Sequence, residues 1–253
     1  MTTPPSVLIP IAPGTNRNDE LALAFEAAGA QVAQYPLEAI RQGETSLRQH
    51  QILALPGGFS YGDALGAGRL LGLDLTGWFH DQLVAARDEA MPILGICNGF
   101  QALVHAGLLP GSERSSAALV ANRSRGFECR WVYLQPSSKL SIWTAELDQP
   151  LWCPVAHGEG RFVTKDVDDV IDNDQVAFRY ADADGQAAHD DYPLNPNGSV
   201  DDIAGVCDPS GQVLGLMPHP EDHVFSRQSP HRRRSNGNRC QALFEAGVRA
   251  VAS

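Results

Sequence analysis

The chain has 253 residues, 43% hydrophobic and 19% charged, the balance of a protein that folds around a buried core. At this length one large α/β domain buries roughly 70–75% of the surface its unfolded chain exposes, so no disulfide or metal staple is required. Lys and Arg number 19 against 30 Asp and Glu, a net charge of −11, which excludes wholesale nucleic-acid binding because phosphate contacts need a basic surface.

In chain order, "SVLIPIAPG" (6–14) reads as a strand stopped by Pro-Gly. Asn18 and Asp19 offer capping side chains to "ELALAFEAAGA", a helix former that stops at Gly29. "AQVAQYPL" is the next strand, and "QILALPGG" is an apolar run halted by Pro-Gly-Gly. "LLGLDLTGWFHDQLVAARDEA" is helical in pattern, "MPILGI" is a continuous apolar strand, and "NGFQALVHAGLLPG" is a helix with a Gly-Pro-rich exit. Strands apolar on both faces that alternate with helices imply a parallel sheet covered on both sides.

The second half changes character. "GFECRWVYLQP" and "LWCPVAHGEGRFV" carry aromatic and β-branched runs, while "VAFRYADADG" and "DIAGVCDPSGQVLGLMP" read as hairpins, with "DPSG" as a turn. These antiparallel strands are expected to extend the sheet or cover one edge. No repeat or composition shift divides the chain, so one domain, 1–253, is expected. The fold class is α/β, with a central, mostly parallel sheet flanked by helices and an antiparallel extension.

No apolar run approaches the roughly 18 residues of a membrane-spanning helix. The start "MTTPPSVLIPIAPG" lacks a basic region followed by a long apolar segment, so no secretory signal is read there. The five cysteines, at 97, 129, 153, 207 and 240, form no CxxC pair. Reduced thiols in a cytoplasm are the expectation, and a closed zinc site is not.

"GICNG" is G-x-C-x-G, the thiol counterpart of the nucleophile elbow. Side chains at Gly95 and Gly99 would collide across such a turn, which holds the sulfur of Cys97 above the sheet at a helix N-terminus. Helix dipole and free amides there stabilise a thiolate, and the Asn98 amide can stabilise an oxyanion on a substrate carbonyl. The competing reading is a buried structural cysteine with glycines placed for packing.

A cysteine nucleophile needs a base, and the base needs orienting. "GLMPHPEDHVF" supplies both: in an extended segment His219 and Glu221 point to the same side, and Pro218 and Pro220 keep the segment from becoming a helix. A zinc pair from His219 and His223 would need the helix that Pro220 breaks, and a plain strand end with surface charges is the bland alternative. In "LPGGFSYGD" (55–63) consecutive glycines let backbone amides approach a ligand, and the Gly58 amide is the candidate second oxyanion donor. A simple tight turn is the other reading of that stretch. "GAGRLLG" (66–72) does not follow a strand directly and is too loose for a dinucleotide fingerprint, and no P-loop occurs.

Together "PGTNRNDE", "LPGGFSYGD", "ILGICNGFQAL", "NRSRGFECRW", "HGEGRF", "YPLNPNGS", "IAGVCDPSG" and "GLMPHPED" resemble the glutaminase subunit of phosphoribosylformylglycinamidine synthase, a class I (triad-type) glutamine amidotransferase. The cysteine elbow and His-Pro-Glu segment are shared by class I amidotransferases generally; "PGGFSYGD", "HGEGRF" and "NPNGS" narrow the resemblance to this family. It runs from about residue 7 to 225 and implies a flavodoxin-like fold. It makes Cys97 the nucleophile, His219 the base and then acid, and Glu221 the orienting carboxylate, with Gly58 and Asn98 as oxyanion donors. It further implies that Gln101, His157 and Gly158 contact the substrate glutamine; for His157 a purely structural hydrogen-bonding role is the alternative.

The resemblance also implies that ammonia is consumed by a large synthetase subunit that uses formylglycinamide ribonucleotide and ATP with Mg, usually with a small accessory subunit. No cofactor, metal, nucleic acid or membrane is expected for this chain itself, and its activity alone is expected to be weak. Rival readings are a glutaminase feeding another synthetase, which "HGEGRF" and "NPNGS" oppose, and a catalytically dead assembly partner or glutamine sensor, which the intact Cys97, His219 and Glu221 oppose. After "MPHPE" the chain departs from the pattern with a basic loop insertion at about 226–239. Its His231-Arg232-Arg233-Arg234 run is read either as solvated or as meeting an acidic face of the synthetase or a phosphate. "CQALFEAGVRAVA" closes the chain as a helix, with Cys240 a buried packing residue.

Overall fold

The structure is a computed structural model that describes residues 3–111, 116–230 and 240–252. The His231–Arg234 run therefore lies outside the described residues. The strands are β1 (Ser6–Ile11), β2 (Gln31–Pro36), β3 (Ile52–Leu55), β4 (Ile93–Ile96), β5 (Ala117–Val120), β6 (Glu128–Pro136), β7 (Leu151–His157), β8 (Arg161–Thr164), β9 (Val176–Ala181), β10 (Ile203–Cys207) and β11 (Val213–Leu216). The helices are α1 (Asn18–Ala27), α2 (Leu37–Arg41), α3 (Arg69–Trp78), α4 (His80–Asp88), α5 (Asn98–His105), α6 (Val167–Asp172) and α7 (Gln241–Val251). No helix among the described residues is long and apolar enough to cross a membrane.

Nine strands form one sheet in the order β2-β1-β3-β4-β11-β10-β9-β6-β7, and β5 pairs with β8 in a second. From β2 to β11 the neighbours run parallel; from β11 to β7 they run antiparallel. The sequence shows why the halves differ. β3, β4 and β11 are buried at every position, as strands covered by helices on both faces must be. β7 alternates buried and partly exposed positions, the period-two signature of a strand with one face on the core.

The sheet curls back on itself. β7 is its last strand, yet Pro154 O accepts a hydrogen bond from His219 N at 2.8 Å, and Ala156 O lies 3.8 Å from Cys97 Sγ. The far edge of the antiparallel half thus closes over the C-terminal ends of β4 and β11, where an open α/β sheet presents its ligand crevice.

Several local details differ from the sequence reading. Asn18 and Asp19 do not cap α1; they are its first residues, the N-cap is Arg17, and no side-chain cap bond forms there. Asn18 Nδ2 turns instead to Asp19 and to Gln34 on β2. The long helical stretch from 70 to 90 is two helices, broken at Phe79, which leaves helical geometry and buries its ring. β5 went unread because four residues beginning Ala-Ala carry little strand signal, and its pairing with β8 supplies the order. Cys240 is fully buried as expected, and α7 packs on α1 through an edge-to-face contact of Phe25 and Phe244 at 5.2 Å.

Candidate active site

Cys97 occupies the turn between β4 and α5 with φ 51° and ψ −105°, a left-handed geometry that a non-glycine residue adopts only when its surroundings enforce it. The elbow is held because Cys97 N donates to Leu216 O at the end of β11, 2.8 Å away. Glycine is needed because α5 lies directly on the sheet. A Cβ on Gly95 would come within 2.9 Å of the Gly99 carbonyl, the collision read from the sequence. A Cβ on Gly99 would meet a different group, Leu55 O on β3, at 2.2 Å. Asn98 is the first residue of α5, so its amide has no acceptor within the helix.

His219 and Glu221 follow β11. The segment is not extended as expected: Pro220–His223 is a 3-10 turn, with Pro at its first position, where a missing N–H costs nothing. That turn brings Glu221 Oε1 to 2.7 Å from His219 Nδ1. Both side chains are buried, and His219 Nε2 has no nitrogen or oxygen partner among the described residues. Burial works against the charged imidazole, but the Glu221 carboxylate and the Cys97 sulfur beside it outweigh that and hold its pKa well above the ordinary histidine value. The arrangement thus favours an imidazolium beside the Cys97 sulfur, a group chemically able to donate a proton.

His223, the second histidine of the rejected zinc pair, turns away. Its Nδ1 meets Trp152 O, and its ring stands edge-on to Trp131 and Trp152. Donor atoms of His219, Glu221 and Asp222 do lie within 4.8 Å of one another. Because Glu221 already engages Nδ1 of His219, the histidine nitrogen on that side is committed to a hydrogen bond.

A cavity of about 350 Å³ opens above the sulfur, lined by Asn16, Arg17, Gly58, Phe59, Cys97, Phe127, Ala156 and His219. Gly58 lines the same cavity from the loop after β3. Its φ of 139°, and a Cβ position only 2.7 Å from Asn16 N, admit glycine alone. Gly58 is bridged to Thr15, and Phe59 N donates to Gly14 O at 3.1 Å. The "PGTN" segment thus backs the "PGGF" loop.

The sequence matches the CobB/CobQ-like glutamine amidotransferase domain family over residues 4–251. It is 40% identical to phosphoribosylformylglycinamidine synthase subunit PurQ of Treponema denticola, over 98% of this chain and 99% of that protein. The chain belongs to the PurQ family. A second PurQ, from Thermomicrobium roseum, is 43% identical over 83% of this chain and 84% of its own length. Among solved structures, a chain of PurLQS from Thermotoga maritima superposes with a TM-score of 0.77 at 30% identity, covering 98% of this chain and 100% of that one. A glutamine amidotransferase of Thermotoga maritima at 14% identity, with a TM-score of 0.58, shares the fold.

Within this PurQ-family frame the three expected substrate contacts are placed unequally. Gln101 is buried one turn into α5, with both ends of its amide engaged: Nε2 donates to Glu159 O at 2.7 Å and Oε1 accepts from Asn98 Nδ2 at 3.0 Å. His157 ends β7 behind the cavity wall. Its Nδ1 lies 3.2 Å from Asn122 Oδ1 and its Nε2 3.5 Å from Asn197 Nδ2. Burial, reinforced by the charge of His219, pushes its pKa down to about 3, so it is neutral. Gly158 is partly exposed, and a Cβ there would come no nearer than 3.9 Å to Phe127. None of the three lines the cavity over Cys97.

Sequence reasoning missed five residues here, Ala156 on β7 and four in the quoted motifs. Asn16, Arg17, Phe59 and Phe127 line the cavity, and Arg17 pairs with Glu20 and Asp222. The quoted motifs contain all four, but nothing local shows which members of a motif face a cavity.

Proposed function

We propose that this chain hydrolyses glutamine to glutamate and ammonia on Cys97, and passes the ammonia to the synthetase subunit of phosphoribosylformylglycinamidine synthase, which makes formylglycinamidine ribonucleotide from formylglycinamide ribonucleotide and ATP. The observation that carries the reading is that Cys97, Gly58 and His219 line one cavity, with Glu221 bonded to His219 behind it. The sulfur attacks the side-chain amide carbon of glutamine, forming a C–S bond and a tetrahedral oxyanion. The amides of Gly58 and Asn98 stabilise that oxyanion. His219 gives its proton to the departing nitrogen, the C–N bond breaks, and ammonia leaves a γ-glutamyl thioester. Neutral His219 then takes a proton from water, whose oxygen attacks the thioester and releases glutamate, restoring sulfur and imidazolium. Gln101 is assigned to holding the substrate glutamine, and His157 and Gly158 to its amino-acid end.

The synthetase is the larger partner, as PurL is in PurLQS, and a small PurS-like subunit completes the complex. ATP and Mg act on the synthetase, and the glutaminase chemistry needs no cofactor because every proton transfer is served by His219. The five free thiols support the reading of a protein that works in a reducing cytoplasm. Cys97→Ala tests the assignment in the assembled complex: glutamine-dependent synthesis vanishes while ammonia-dependent synthesis persists. Survival of glutamine-dependent synthesis overturns it. So does labelling by a glutamine-analogue electrophile that maps to exposed Cys129 or another thiol and leaves Cys97 untouched.

A further inference from the structure

The side chain of Asn98, as distinct from its backbone amide, has no part in the chemistry above. It is 2% exposed and committed at both ends. Its Oδ1 accepts from Ser60 N at 3.1 Å, and its Nδ2 donates to Asp63 Oδ1 at 3.1 Å and to Gln101 Oε1 at 3.0 Å. A carboxamide has two N–H donors and one carbonyl acceptor, so each function is used. The network continues through Gln101 to Glu159 O, while Glu159 Oε2 accepts from Ala67 N at 3.2 Å. One buried side chain thus joins the loop carrying Gly58, the first turn of α5 and, through Gln101, the turn after β7.

The loop needs such a fastening. Gly57 and Gly58 have no side chains to limit their backbone, so their conformational freedom is the largest the chain offers. β3 fixes the loop on one side of the pair and the Gly14–Thr15 segment touches its middle. On the far side the Tyr61 amide donates to Pro13 O at 2.6 Å, and the Ser60 amide, nearer the glycine pair, is held by Asn98. We infer that the Asn98 carboxamide is a positioning residue for the oxyanion site, setting the Gly58 amide in register with the amide of Asn98 itself. One residue then supplies one oxyanion donor through its backbone and aligns the other through its side chain. The inference rests on the assignment of Cys97 as nucleophile and of Gly58 and Asn98 as oxyanion donors.

The test uses Asn98→Ala and Asn98→Asp in the complex with the synthetase. Asn98→Ala lowers kcat for glutamine by about 10²-fold, the usual effect of a misplaced oxyanion donor, with KM within about threefold of wild type. Alkylation of Cys97 by iodoacetamide keeps its rate, because displacement of iodide at carbon builds no oxyanion. Asn98→Asp is nearly isosteric and carries the test if Asn98→Ala does not fold. It keeps the acceptor for Ser60 N but sets a carboxylate against Asp63, so its kcat relative to wild type recovers as pH falls and protonation restores a donor. The inference is overturned if kcat stays within about threefold of wild type, or if alkylation slows in parallel with kcat, which places the effect on the elbow. If Cys97→Ala retains glutamine-dependent synthesis, the nucleophile assignment itself has failed; if Cys97→Ala is dead and the Asn98 variants are normal, only the positioning role has.

Discussion

Glu221 Oε1 stands 2.7 Å from His219 Nδ1 in a site where both side chains are almost sealed from water. The pair is formed by residues two apart on a 3-10 turn, and its geometry decides which nitrogen of the imidazole faces the sulfur. The charge of Glu221 also works against the desolvation of His219, so that the buried ring stays protonated beside Cys97.

Replacing Glu221 by Gln keeps the shape and removes the charge. In the complex, kcat/KM for glutamine falls by about 10⁴-fold, as for other triads deprived of the orienting carboxylate. The alkaline limb of the pH–rate profile moves to lower pH, because a His219 less strongly raised gives up its proton sooner. A limb that stays in place shows that Glu221 does not tune His219.

The same pair has a thermodynamic signature. The folded pKa of His219 lies above its unfolded value, so the stabilisation is present in full below about 6.5 and is lost as pH rises through the folded value. Glu221→Gln is therefore most destabilising on the acid side of neutrality, and the gap to wild type narrows at alkaline pH in urea titrations. A gap independent of pH contradicts this.

His157 acts in the opposite direction. Its folded pKa is depressed to about 3, so the unfolded chain takes up a proton near pH 6.5 that the folded protein refuses. Stability from neutral His157 is complete above the unfolded value and drains as pH falls toward 3. Between pH 7 and pH 5 this amounts to on the order of 2 kcal/mol. His157→Gln, which retains hydrogen-bonding capacity toward Asn122 and Asn197, flattens that part of the pH–stability curve. An unchanged slope removes His157 as its source.

Gly57 and Gly158 form a contrast. A Cβ on Gly57 meets His219 Cε1 at 2.8 Å, whereas one on Gly158 meets nothing nearer than 3.9 Å. Gly57→Ala displaces the base and lowers kcat by about 10²-fold, with about 1–3 kcal/mol of overpacking. Gly158→Ala changes stability by less than about 0.5 kcal/mol. Steady-state rates and thermal melts separate the two; equal effects contradict the packing around His219.

Gly99→Ala tests the elbow. Its Cβ would lie 2.2 Å from the Leu55 carbonyl oxygen, and backbone at the end of a central strand cannot yield as a side chain can. The expected loss is at least about 3 kcal/mol, seen as a large fall in Tm. A melt like wild type means that α5 can lift from β3.

Much of the site was legible because its information is local. The glycines around Cys97 mark a strand-to-helix turn whatever surrounds them, and the His-Pro-Glu order sets His219 and Glu221 two residues apart, close enough to meet, although Pro220 opens a 3-10 turn there instead of holding the chain extended. Gly58 was identifiable since a Gly-Gly pair after an apolar run implies close backbone approach. The errors were local too. The turn at Pro220–His223 and the break at Phe79 reflect tertiary packing overriding a periodic pattern, as Phe79 leaves the helix to bury its ring.

By itself the sequence determined the α/β class, the elbow and the His-Pro-Glu segment, since apolar runs, glycines and prolines restrict the backbone within a few residues. Only the tertiary structure decided that β7, the last strand of the sheet, curls over to set Ala156 and Pro154 against Cys97 and His219. It alone decided that the Asn98 side chain reaches across to Ser60 and Asp63, and that His157 turns to Asn122 and Asn197. These contacts span 35 to 65 residues of chain. At such separations no local preference selects one buried polar partner over another; the packed core does, by leaving each amide and imidazole a single place where its hydrogen bonds can be made.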